Sequence, residues 1–337
     1  MILESQVSPR WPPMLAATPW TEDPAVTQVS ARAWSELLHA QVAYLMRSAG
    51  IPTLHIKGPT VALWLYDEGE RVWGDVDILV PPSQMEDALE VLLCAGFDER
   101  FPGVTRRTTT DHAITLVHNI PGDPASVGAE VDVHDRFEGI DADPEWAFDQ
   151  LWRRREPDQL GHVDVWFPDI ATRALLIALN TARSDTPQAR EDLARLIRTG
   201  DPEDWDEVVW LAGRVQALPA LRAGLEVDPA GAGIVRATRL SDVAVSPEWA
   251  LRRAGAPRTA LRLEELGRIP WSRRPGVLAR WLFPSPAIIR MRDPAAAGNI
   301  FRLVGGYLRR LRDGLQAALP SVRALLRIRG DARENGP

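Results

Sequence analysis

The stretch Arg71-Val72-Trp73-Gly74-Asp75-Val76-Asp77-Ile78-Leu79-Val80 decides how this chain is read. Side chains alternate between the two faces of a strand, so Asp75 and Asp77 share one face while Ile78 and Val80 take the other. Two neighbouring carboxylates repel, and a divalent cation between them relieves that repulsion. Magnesium suits the pair, because it takes hard oxygen ligands and needs few from protein when phosphates supply the rest. Gly74 gives the backbone freedom at the mouth of such a site. A bare Asp-x-Asp is also what a solvated strand start looks like, so the surroundings must decide.

Working outward, 23–49 carries apolar residues near helical spacing and ends at Gly50-Ile51-Pro52, and 53–56 reads as a short strand. Gly58-Pro59 opens a helix running to Leu65 or Tyr66, and 71–80 returns to the sheet before Pro81-Pro82 stops it. Ser83 with Glu86 forms a capping-box pattern ahead of a helix that Gly96 ends. Strands at 113–117 and 130–137 flank a loop at 121–128, a hairpin pattern that predicts a mixed or antiparallel sheet. A helix over 143–155 and a strand over 161–167 complete this part.

After 168 the strand signal fades. Helices are expected over 170–182, 187–198 and 204–215, a linker over 227–247, then helices near 247, over 257–266 and over 277–283, with a break at 269–274. A long basic amphipathic helix is expected over 297–328, with a frayed end from 329. The predicted fold class is α+β: a small mixed β-sheet domain with flanking helices, followed by a mostly helical domain. The expected divisions are 1–49 (an irregular lead-in over 1–22, then a helix packed on the sheet domain), 50–167 and 168–330.

Three segments together resemble the nucleotidyltransferases of the polymerase-beta type, and most closely a bacterial group of uncharacterised nucleotidyltransferase-like proteins. They are Leu54-His55-Ile56-Lys57-Gly58, the run from Arg71 to Pro81, and Val131-Asp132-Val133-His134. The resemblance implies metal-dependent transfer of a nucleoside monophosphate from a nucleoside triphosphate such as ATP, with Mg2+ or Mn2+ as cofactor. It implies Asp75, Asp77 and Asp132 as the metal-holding catalytic carboxylates, with Glu130 and His134 on the same strand face as Asp132 able to assist or replace it. Lys57, Gly58, Arg71 and Gly74 are the implied donor-binding residues. The usual Gly-Ser pair of many relatives is absent after Lys57, and Pro59 removes one amide donor there. Arg71 fits a triphosphate through its forked guanidinium, or else a salt bridge to Asp75 or Asp77. Asp192 resembles a recurrent acidic position of the close group and is expected to face the cleft, while Asn180 and Ser184 stand where relatives carry histidines.

Composition narrows the choices further. The chain has 337 residues, 45 % hydrophobic and 25 % charged, with a net charge of -7, which argues against a nonspecific nucleic-acid coat. Acceptors on a small molecule, peptide or protein are therefore preferred to a long nucleic acid. Lys57 is the sole lysine, upstream of the Asp pair, and Cys94 is the sole cysteine, so no intrachain disulfide or cysteine zinc cluster forms. The N-terminus lacks a secretory pattern and no stretch approaches a spanning length, which points to a cytoplasmic protein. The basic C-terminal helix reads as a docking helix with a solvated arginine face, with an anionic partner or membrane surface as the alternative. Two further function classes remain: a noncatalytic nucleotide-binding or regulatory protein, and a metal-dependent glycosyltransferase, which needs a larger α/β arrangement before 168.

Overall fold

A computed structural model describes residues 31–100, 113–118, 129–184, 186–199, 202–296 and 298–334. In chain order, α1 (Ala31–Ser48) leads to β1 (Leu54–His55), α2 (Pro59–Leu65), β2 (Val76–Leu79), α3 (Met85–Cys94), β3 (Phe97–Glu99), β4 (Ala113–His118) and β5 (Ala129–His134). Next come α4 (Pro144–Arg153) and the strands β6 (Arg155–Leu160) and β7 (Val163–Pro168). The helices α5 (Ile170–Arg183), α6 (Pro187–Thr199), α7 (Pro202–Arg214), α8 (Leu218–Leu225) and α9 (Gly231–Ala237) follow. The last are α10 (Pro247–Arg253), α11 (Arg258–Arg268), α12 (Arg274–Leu282), α13 (Pro286–Arg292) and α14 (Ile300–Glu334). The lead-in at 1–22, the start of the first expected helix and the loop at 121–128 lie outside the described residues.

The sheet has the order β1-β2-β5-β4-β3, and β6 and β7 form a separate antiparallel pair. Only the β2–β5 pairing is parallel among the described strands, so the mixed sheet expected from the hairpin pattern is the one found. Every residue of β2 is buried, as a central strand covered on both faces requires. On one face Val76, Ile78, Val131 and Val133 pack with Leu38, Val42 and Met46 of α1 and Leu89 and Leu92 of α3. On the other, Leu54 and Leu79 join Leu65 of α2, Leu151 of α4 and Leu175 of α5 in a core that continues into α6, α7 and α8.

The helical part is thus packed directly on the site-bearing face of the sheet. Asp143 and Asp169 cap α4 and α5, accepting from the amides of Trp146 at 3.0 Å and Thr172 at 2.9 Å. Gly224 lets α8 lie against α5, since a Cβ there would meet the Ala178 carbonyl oxygen at 2.0 Å.

Several local expectations change. Ser83 does not cap a helix with Glu86; its hydroxyl and amide go to the Glu145 carboxylate at 2.7 and 2.9 Å, because α4 is brought alongside. The expected strand at 161–167 has an antiparallel partner at 155–160, a polar, exposed segment that lacked strand periodicity. The expected linker at 227–247 contains α9 and a 3-10 turn, and α14 continues to Glu334, into the segment expected to fray, of which 335–337 lie outside the described residues. The exposed face of α14 is not simply arginine: Phe301, Leu308, Leu315 and Leu326 are exposed beside Arg302, Arg309 and Arg323, while Leu303 is buried. Among the described residues no helix is long and apolar enough to cross a membrane.

Candidate active site

The parallel pairing of β2 with β5 sets Asp77 directly beside Asp132, and Leu79 beside His134. By the alternation of strand side chains, Asp77, Asp132 and His134 therefore share the face toward α2. Asp77 is nearly inaccessible, at 3 % exposure, and its Oδ1 accepts from Lys57 Nζ and, at 2.8 Å, from His134 Nε2. Burial alone would push the Asp77 carboxyl up, but the His134 hydrogen bond and the Lys57 charge outweigh it and hold the group well below the usual carboxylate range. The carboxylate is thus ionised.

Asp132 is half-buried, and its Oδ1 accepts from the hydroxyl of Thr115 on β4 at 2.6 Å. Asp77, Asp132 and His134 each offer a ligand atom, and these atoms lie within 4.8 Å of one another. Two carboxylates and an imidazole suit a hard or borderline divalent ion such as Mg2+ or Mn2+. The expected strand over 71–80 is shorter than its apolar pattern, so Asp75 precedes β2 and is exposed at its mouth. Desolvation and repulsion from Asp77 raise the Asp75 carboxyl above its ordinary value.

Lys57 and Gly58 form the turn between β1 and α2. Gly58 has φ +60°, a conformation that favours glycine, and the Trp73 side chain lies against it. Gly74 is exposed, one residue before Asp75. Arg71 does not pair with Asp75 or Asp77. Its Nε and Nη2 grip the two Asp192 oxygens at 2.9 Å each, and its Nη1 donates to the Gly58 carbonyl at 3.2 Å. Asp192, buried on α6, also accepts from Tyr66 Oη at 2.6 Å and Gln188 Nε2 at 2.9 Å. Glu130, at the outer end of β5, pairs with Arg100.

The family described as "Uncharacterised nucleotidyltransferase" matches residues 12–227. The chain belongs to that family. Among solved structures it is similar to an antigenic nucleotidyltransferase-like protein from Paracoccidioides brasiliensis, at 13 % identity and a TM-score of 0.38, covering 60 % of this chain and 92 % of that one. It is also similar to JHP933 from Helicobacter pylori, at 13 % identity and a TM-score of 0.34, covering 72 % and 100 % of the two chains. No curated protein matches.

This nucleotidyltransferase-family chain also contains polar residues that sequence reasoning passed over. Thr115 falls within the strand pattern at 113–117, and its alternation with the apolar Ile114 and Leu116 places it on the polar face. Tyr66 and Gln188 gave no signal of their own, since their meeting depends on α6 docking against α2. Behind the site, His39 of α1 and His55 of β1 lie with Nδ1 atoms 2.8 Å apart, both buried. One nitrogen must donate and the other accept, and burial lowers the His39 pKa to about 4 and the His55 pKa well below its ordinary value. The pair is therefore neutral near pH 7.

Proposed function

We propose that this protein transfers a nucleoside monophosphate from a nucleoside triphosphate, with Mg2+ or Mn2+, to a hydroxyl or phosphate on a small molecule, peptide or protein. The observation that carries the reading is the side-by-side placement of Asp77 and Asp132 on adjacent parallel strands, with His134 beside them. Asp77 and Asp132, with Asp75 at the mouth of the site, would hold the divalent cation. When bound, the metal neutralises phosphate charge and orients the donor for in-line displacement.

His134 donates to Asp77 and fixes the orientation of that carboxylate. Thr115 does the same for Asp132, which in this reading accepts the proton of the attacking hydroxyl. The acceptor oxygen bonds to the α-phosphorus as the bond to the β-phosphate bridging oxygen breaks, and pyrophosphate leaves. Lys57, now on Asp77, would supply positive charge to the donor phosphates. ATP as donor and a cytoplasmic location belong to the same proposal.

The noncatalytic reading draws on one observation: Lys57 and His134 both occupy Asp77 Oδ1, as a carboxylate satisfied without metal would show. The glycosyltransferase reading needs a larger α/β sheet than the five strands with one parallel pair among the described residues. Calorimetry with nonhydrolysable nucleoside triphosphates and Mg2+ or Mn2+ tests the proposal. Metal-dependent binding that disappears in folded Asp75→Asn and Asp77→Asn variants is expected. Failure of every triphosphate to bind, or preference for a sugar nucleotide, would overturn it. Binding with no product across a broad acceptor screen would favour the noncatalytic protein.

A further inference from the structure

We propose that Asp192 is a positioning residue: acting through Arg71, it holds the Lys57–Gly58 turn and so sets the Lys57 ammonium on Asp77. The consequence for donor binding rests on the nucleotidyl-transfer reading, whereas the positioning itself does not. A glycine turn in the left-handed region has little stiffness of its own, and no side chain caps α2 at this end. Its placement must come from neighbours.

Arg71 supplies it. Two guanidinium nitrogens are fixed by the Asp192 carboxylate in a fork, and the third reaches the Gly58 carbonyl, which also accepts the α2 amide of Ala62 at 3.0 Å. The Asp192 carboxylate accepts four hydrogen bonds in all, with side-chain exposures of 6 % for Asp192 and 11 % for Arg71, so neither group is free to wander. Burial and the Asp192 hydrogen bond raise the Tyr66 hydroxyl above its ordinary pKa, which keeps it a donor.

The same helix holds the other end of the segment. Arg195 of α6 pairs with Glu70 at 2.7 Å, and its guanidinium lies 4.0 Å from the centre of the Tyr66 ring. α6 thus grips α2 and its following turn from Gly58 to Arg71, although it lies more than a hundred residues downstream. Since Lys57 is joined to Gly58 and reaches Asp77, a shift of the turn is a shift of the cation on the site.

The sole lysine makes the inference measurable without substrate. Acetylation of Lys57 by acetic anhydride, followed by peptide mass spectrometry, reports how firmly the amine is held. In Asp192→Asn the rate should rise about tenfold or more, as when a protecting local contact opens. If leaving Arg71 buried and unpaired unfolds that variant, Arg71→Met/Asp192→Leu replaces both charges with apolar groups and retains the fold. Its thermal midpoint should approach that of the wild type while Lys57 stays fast. A folded paired variant whose Lys57 reacts within about twofold of wild type would overturn the positioning role, because removing the contact would have opened nothing.

Triphosphate affinity in that variant should fall about tenfold, the lower end of a supporting-residue effect. A wild-type protein that binds no triphosphate would sink the proposed function and leave the acetylation rates to decide this inference.

Discussion

Asp77 and Asp192 are both nearly inaccessible carboxylates, and each faces a cation from the 57–71 segment, but their oxygens are used differently. Asp77 takes Lys57 and His134 on the same oxygen and lies beside Asp132. Asp192 spreads four donors over both oxygens, two of them from one rigid guanidinium. An ammonium on a flexible stem can leave a carboxylate when a stronger cation arrives, whereas a forked pair with two further donors has nothing to gain by opening. Burial alone therefore does not separate an acid with exchangeable partners from one whose partners are fixed. The separating property is the geometry of the donors: one flexible ammonium and one imidazole on a single oxygen, against a fork over two.

The largest test of this contrast is to break the fixed pair. Arg71→Met should cost about 3–5 kcal/mol in urea unfolding, because it strands a buried carboxylate, and Arg71→Met/Asp192→Leu should recover most of that loss. A double variant as unstable as the single would mean the pair contributes net stability through its geometry. At the exchangeable acid, Asp77→Asn should weaken Mn2+ binding about 100-fold by electron paramagnetic resonance, at or beyond the range seen for supporting residues. Equal weakening in the Arg71/Asp192 double variant would erase the distinction between the two acids.

Lys57→Met sharpens the comparison from the other side. With the competing ammonium gone, Mn2+ affinity without nucleotide should rise about tenfold, since the ion no longer displaces a charge from Asp77. Unchanged affinity would mean that Lys57 does not compete with the metal.

An effect read over pH and not over ligand comes from the His39–His55 pair behind Asp77. Burial lowers both pKa values, so below pH 6.5 the unfolded chain binds protons that the folded chain refuses. Their contribution is complete above pH 6.5 and falls with pH toward 4, by up to about 1.4 kcal/mol per pH unit for each histidine. Urea midpoints between pH 7.5 and 4.5 should show this slope, reduced in His39→Gln and retained in Asp77→Asn, because the Asp77 carboxyl is held below that window. The smallest expected effect is that of Tyr66→Phe, which removes one of four donors to Asp192 and should cost about 1 kcal/mol by thermal unfolding. A loss as large as that of Arg71→Met would show that the Asp192 site is less saturated than its contacts imply.

Much of the site was legible because it lies on strands. Strand periodicity and the resemblance together selected Asp77 and Asp132, and alternation placed His134 with Asp132; the pairing of β2 with β5 brings all three together. The end of α1 and the approximate extents of α4, α5, α6 and α7 were legible, and so was Asp143 as the start of α4. Harder to read were features that depend on a neighbour. Glu145, on α4, took the role assigned to Glu86 once α4 lay alongside Ser83. The strand at 155–160 formed because β7 folded back on it, and on α14 the apolar spacing was legible whereas the exposure of Phe301, Leu308, Leu315 and Leu326 was not.

What the sequence by itself determined is the alternation that puts Asp77 on one face of a buried strand, the mixed α+β order, and the single lysine beside a glycine turn. These are properties of residues close along the chain, governed by periods of two and 3.6 and by local backbone freedom. Only the tertiary structure decided that Arg71 belongs to Asp192 rather than to Asp75 or Asp77, and that His39 meets His55. The first of those pairs spans 121 residues. No local period encodes such a meeting; it follows from α6 burying its apolar face in the core that it shares with α2 and the sheet.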